Sequence, residues 1–97
     1  MLTLSLALAA ASAVPDAYVC LGTTSRAIRD AQQRGRVVDP QLTSAQIFWL
    51  ERARVAVPDT PDASLIEDAR VSRLDQPARA YRRELRRCLA NVERARG

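Results

Sequence analysis

The 97-residue chain contains no histidine, no lysine and two cysteines, and its glycines number three. Without histidine, imidazole zinc sites and histidine-based acid–base or nucleophilic catalysis are excluded. Two cysteines are too few for a cysteine-only zinc or iron–sulfur centre. No glycine-rich phosphate loop, Walker-type lysine, His–Glu metal motif or Gly-x-Ser-x-Gly elbow is present. The acids that invite a catalytic reading, Glu51 and the pair Asp59 and Asp62, are better explained as helix caps and solvated faces. The Asp59–Asp62 turn also lacks the glycine and ligand spacing of a calcium loop. The expectation is therefore a protein with no catalytic residue, no metal ligand and no cofactor. At 27% charged and 47% apolar, the composition is nonetheless that of a folded domain.

What is present begins with an apolar start. Residues 1–13 read MLTLSLALAAASA, uncharged, with a continuous apolar character from Leu2 to Ala11. The stretch is shorter than the ~20 residues needed to span a bilayer. Ala11-Ser12-Ala13 puts small residues where signal peptidase reads them. Residues 1–13 are thus expected to be a signal peptide and residues 14–97 a single helical domain, periplasmic or secreted. No Lys or Arg precedes the apolar run, and the competing reading is a buried N-terminal helix of a cytosolic protein. Cys20 follows Tyr18-Val19 instead of a small residue, which argues against a lipoprotein.

An exported domain of 84 residues buries a modest core and benefits from a covalent staple. A Cys20–Cys88 disulfide would close a loop worth roughly 4 kcal/mol in the loop-entropy model. The alternative is two free thiols, although no Cys-x-x-Cys is present to tune one.

Strand signals are nearly absent, and the chain divides into helices separated by proline-bearing turns. The first helix is expected over Ala17–Arg34, with Asp16 as N-cap and Gly35 as its stop. Ala17, Cys20, Leu21, Thr24, Ala27, Ile28 and Ala31 share one arc of it, and Gly22 lies off that stripe. A second helix is expected over Thr43–Val57, opened by a Thr43–Gln46 capping box. Its apolar arc is Leu42, Ala45, Trp49, Leu50, Ala53 and Val57. Ile47 falls outside that arc, and Phe48 and Val55 lie nearly opposite it, as candidates for a protein interface. A third helix is expected from Pro61, capped by Thr60, to about Leu74. The fourth runs over Pro77–Arg96, with Ala78, Tyr81, Leu85, Cys88, Val92 and Ala95 at regular spacing. The fold class is all-α, a small three- to four-helix bundle whose first and last helices pack antiparallel and share the disulfide.

Charge is distributed unevenly. Residues 14–69 carry 6 Arg and 8 acids, whereas residues 70–97 carry 9 Arg and 3 acids. Arg79, Arg82, Arg83, Arg86, Arg87 and Arg94 span about 140° of the last helix and form a candidate anion-binding face. Intramolecular pairing with acids such as Glu67 and Asp68 would neutralise part of it.

Gln46-Ile47-Phe48-Trp49-Leu50, followed by arginines, resembles the Gln-x-x-Trp-Leu segment of the LprI-type lysozyme-inhibitor family, small exported helical proteins. The resemblance is confined to residues 46–54. That family is richer in cysteine and places one where this chain has Val55-Ala56-Val57, and a basic chain suits a basic lysozyme poorly. The sequence leads to a small exported, non-catalytic interaction or structural module of the bacterial cell envelope, whose partner is another envelope protein or a second copy. The alternatives are a binder of an anionic membrane surface, or of nucleic acid if the chain is not exported, through the last helix, and a periplasmic chaperone-like holdase using Phe48 and Val55.

Overall fold

In the computed structural model the described residues are 2–96, with side chains described for Asp16–Arg96. The expected signal peptide, residues 1–13, lies outside the residues whose side chains are described. Four helices follow in order: α1 (Leu2–Gln33), α2 (Pro40–Arg54), α3 (Asp62–Val71) and α4 (Ala78–Arg96). No strand occurs among the described residues.

The central element is α1, which packs against each of the other three, while α2 also touches α3 and α4. Every residue from Cys20 to Ser25 is buried, so this part of α1 is enclosed on all sides. Five residues of its expected apolar stripe are buried, and Ile28 and Ala31 are half-buried. The polar members of the enclosed run satisfy themselves locally. Thr24 Oγ1 donates to the Cys20 and Leu21 carbonyls at 2.8 and 3.2 Å. Thr23 Oγ1 lies 2.9 Å from the Val19 carbonyl and 2.7 Å from Glu84 Oε1.

Gly22 explains how α3 comes so close. A Cβ at this position would lie 2.2 Å from the Ala69 carbonyl oxygen and 2.7 Å from Arg73 Cγ. The glycine off the stripe therefore marks a near-contact of backbones, at a cost in helix propensity of about 1 kcal/mol against alanine. The end of α1 is a Schellman closure. Gly35 takes φ +66°, its N–H donates to the Gln32 carbonyl (3.1 Å), and the Arg36 N–H donates to that of Ala31 (2.9 Å).

The disulfide joins Cys20 and Cys88 with their Cα atoms 5.5 Å apart, both side chains fully buried. Contacts between α1 and α4 pass from Cys20–Cys88 through Thr23–Glu84 to Arg26–Tyr81. One number rises as the other falls, so the helices run antiparallel.

Several local expectations need correction. Asp16 lies within α1 and caps nothing; its carboxylate pairs with Arg87 at 2.8 Å. α2 begins earlier than the Thr43–Gln46 box. Asp39 is its N-cap, accepting from the Gln41 N–H at 2.9 Å, with Pro40 at the first helical position. Gln46 instead donates to Ser25 Oγ at 3.0 Å, tying α2 to α1. The helix ends at Arg54, and Val55–Val57 pass into i→i+3 turns. Thr60 does not cap α3, which follows Pro61 without a side-chain cap and ends at Val71 instead of near Leu74.

The core gathers Ala17, Cys20, Leu21, Ala45, Trp49, Ala53, Leu65, Ala69, Cys88 and Val92, with Phe48, Leu50, Ile66 and Leu89 packed at its edge. Of the expected outer residues of the α4 stripe, Ala78 and Ala95 are exposed.

Candidate functional site

Two adjoining features distinguish the surface. The first is the outer face of α4. All six candidate arginines, Arg79, Arg82, Arg83, Arg86, Arg87 and Arg94, are exposed, on the side of the helix facing away from the stripe that buries Cys88 and Val92. Arg87 pairs with Asp16, and Arg94 donates to Asn91. Arg79, Arg82, Arg83 and Arg86 have no carboxylate within ion-pair distance among the described residues.

Of the acids expected to neutralise part of this face, neither Glu67 nor Asp68 makes an ion pair with α4 among the described residues. Glu67 pairs with Arg70 at 2.5 Å and Arg29 at 3.8 Å, not with α4. The hydrogen bond from Arg70 holds its carboxyl below the ordinary glutamate value, partly offset by desolvation. Asp62 takes a bidentate pair from Arg54, at 3.0 and 2.6 Å. Glu84 turns inward, where Arg73 Nη2 reaches Oε1 at 3.1 Å beside the Thr23 hydroxyl. The architecture accounts for this separation: α3, the most acidic helix, packs on α1 and α2 and makes no contact with α4.

The second feature is a half-open groove of about 330 Å³ between the second half of α1 and the first turn of α4. Small side chains line the space: Ala27 and Ala31 on α1 and Ala78 on α4. Arg26, Arg34, Arg36 and Arg82 line it together with Asp30 and Tyr81. Arg26 is fixed in place. Its guanidinium sits 4.0 Å from the centre of the Tyr81 ring, and Nη1 donates to the carbonyls of Arg73 (2.9 Å) and Gln76 (3.3 Å). Burial, followed by the charge of Asp30, raises the Tyr81 pKa above the ordinary tyrosine value, so its hydroxyl keeps its proton at neutral pH.

The interface candidates on α2 are placed differently from one another. Phe48 is half-buried against the core, edge-on to Trp49 with centroids 4.9 Å apart, and Arg52 covers its face at 3.6 Å. Val55 is 80% exposed, just beyond the end of α2, and Ile47 is also exposed. Among the described residues no cluster of three or more His, Cys, Asp or Glu is arranged to hold a metal ion.

Arg82 was singled out from the sequence, whereas Arg26, Arg34 and Arg36 were not. A signal existed: Arg26, Asp30 and Arg34 are spaced four apart, flanking Ala27 and Ala31 on one face of α1. What the pattern could not supply was which element would leave that face uncovered. Comparison with family models, with curated proteins and with solved structures finds no match to this chain.

Proposed function

We propose that this protein is a non-catalytic interaction module of the bacterial cell envelope that docks on an anionic, phosphate-bearing membrane surface through the arginine face of α4. The observation that carries the reading is the set Arg79, Arg82, Arg83 and Arg86, four exposed guanidiniums without an internal counter-ion among the described residues. Arginine's planar fork suits phosphate oxygens, and a rigid helix presents the forks in fixed register. The buried Cys20–Cys88 bond supports an oxidising compartment, where such a link persists. Among the described residues no helix is long and apolar enough to cross a membrane. A chaperone-like role has less to stand on, because Arg52 covers the Phe48 ring and leaves Val55 as the exposed member of the expected pair.

The test is co-sedimentation of the oxidised full chain with anionic and zwitterionic phospholipid vesicles. Each arginine near an anionic surface contributes about 1 kcal/mol, so four together give roughly a thousandfold in partitioning. Binding should be selective for anionic vesicles, weaken with salt, and fall by about that factor in the variant R79Q/R82Q/R83Q/R86Q. Equal binding to both vesicle types, or an unaffected variant, refutes the reading. Binding to duplex DNA with none to vesicles would move the partner to nucleic acid and remove the argument for the envelope. Intact-mass spectrometry of the native protein reports both the disulfide and whether residues 1–13 have been removed.

A further inference from the structure

We infer that the groove between α1 and α4 is a binding site for a small phosphomonoester. Its volume, about 330 Å³, lies at the low end for small-molecule sites and suits a phosphate group carrying a few carbon atoms. Four arginines and a single acid, Asp30, line this space. The arginines divide the work. Arg26 is half-buried and held by two backbone carbonyls and the Tyr81 ring, so it contributes a fixed positive charge. Arg34, Arg36 and Arg82 are exposed, and their guanidiniums make no hydrogen bond or ion pair among the described residues. Their forks are available to close bidentately on phosphate oxygens. The Tyr81 hydroxyl adds a neutral donor in the same wall, while Ala27, Ala31 and Ala78 offer the carbon portion an apolar surface.

The groove is built by the fold. The Schellman closure at Gly35 turns the chain so that Arg36 returns over the end of α1 beside Arg34. The disulfide sets the α1–α4 register that brings Tyr81 and Arg82 opposite Arg26. Asp30 is the one acid lining the groove. A simple dianion meets its repulsion, so neutralising it tightens binding. The inference goes beyond surface docking because three of its four arginines are not on α4. A phosphomonoester reaches such a site either as a free metabolite or as a lipid headgroup, and the chemistry of recognition is the same.

The experiment titrates the isotope-labelled, oxidised full chain with inorganic phosphate, glycerol 3-phosphate and a soluble short-chain phosphatidate, following backbone amides by NMR. Saturable shifts are expected at Ala31, Ala78 and Tyr81. The variant R34Q/R36Q, altered at two exposed side chains, should bind glycerol 3-phosphate at least about tenfold more weakly, ~1.4 kcal/mol. Asp30→Asn should bind it more tightly. Tighter binding of the phosphatidate than of glycerol 3-phosphate assigns the headgroup source, and weaker binding assigns the free ligand. R34Q/R36Q leaves Arg79, Arg82, Arg83 and Arg86 intact, so its vesicle binding reports on α4 separately. No saturable shift with any of the three probes, or an affinity unchanged in R34Q/R36Q, overturns the assignment.

Discussion

Removing the disulfide by the double substitution C20A/C88A tests the largest single contribution to this fold. The bond links residues 68 apart in sequence. In the loop-entropy model, freeing a loop of that length returns roughly 4 kcal/mol of chain entropy to the unfolded state. Both cysteines are fully buried, so replacing each sulfur by nothing also leaves a void between α1 and α4, adding on the order of 1 kcal/mol. A domain of this size has a total stability of ~4–12 kcal/mol. The variant should therefore lie near the edge of folding, with its urea midpoint moved far down or its transition already begun in buffer. A second signature separates the entropic part from the packing part. Cross-linking compacts the unfolded chain, so the slope of the denaturation curve should steepen when the link is removed. A loss of less than about 1 kcal/mol with an unchanged slope would refute the reasoning, and with it the view that α4 is held to α1 chiefly by this bond.

Gly22→Ala should destabilise the protein by ~1–3 kcal/mol despite alanine's better helix propensity, because the new Cβ meets the Ala69 carbonyl at 2.2 Å; an increase in the thermal midpoint would contradict the close approach of α1 and α3. Glu84→Ala should cost ~2–4 kcal/mol in urea unfolding, since Arg73 and Glu84 are 23% and 16% exposed and removing the acid leaves a partly buried guanidinium without its partner. The Arg54–Asp62 pair at the surface offers the contrast: Arg54→Ala should cost under ~1 kcal/mol. Tyr81 should titrate above the ordinary tyrosine value when followed by ultraviolet absorbance. Its folded-state pKa is raised, so the stability it contributes is complete below the unfolded pKa near 10 and is lost as pH rises through the folded value; a midpoint below that of a free tyrosine would reverse the assignment.

The helical class, the four elements and the cysteine pairing were legible because each rests on periodicity, which reports inward-facing residues directly. Cys20 and Cys88 both fall within regular apolar stripes, and stripes on two helices imply a shared interface. Helix ends were less legible, for a physical reason. At α2 two start signals compete, with caps four residues apart, Asp39-Pro40 and the Thr43–Gln46 box. The earlier prevails: proline's fixed φ suits the first helical turn, Asp39 caps it, and Gln46 is left to bond Ser25. At the other end Val55 continues the sequence trend but is 80% exposed, so burial gives the last turn nothing to hold it helical. Gly22 and Thr23 show what a stripe omits. It tells which residues face inward on average, not that α3 would pass close enough to require a missing Cβ, nor that Glu84 would reach Thr23 from α4.

The arginine face and the groove acquire meaning from the placement of the acids, which composition could not give. Arg79 with Arg83, Arg83 with Arg87, and Arg82 with Arg86 are like-charge pairs one turn apart, each costing a few tenths of a kcal/mol in an isolated helix. Relief from a neighbouring acidic helix would require α3 to lie against α4, but the backbone contact at Gly22 commits α3 to the opposite side of α1. Among the acids near α4, Asp16 engages Arg87, Glu84 engages Arg73, and Asp30 lines the groove beside Tyr81 and Arg82 without an ion pair among the described residues. The same glycine that lets α3 dock therefore keeps its carboxylates away from Arg79, Arg82, Arg83 and Arg86. Their repulsion remains in the folded molecule, and the proposed phosphate-bearing partner would relieve it by supplying the missing charge.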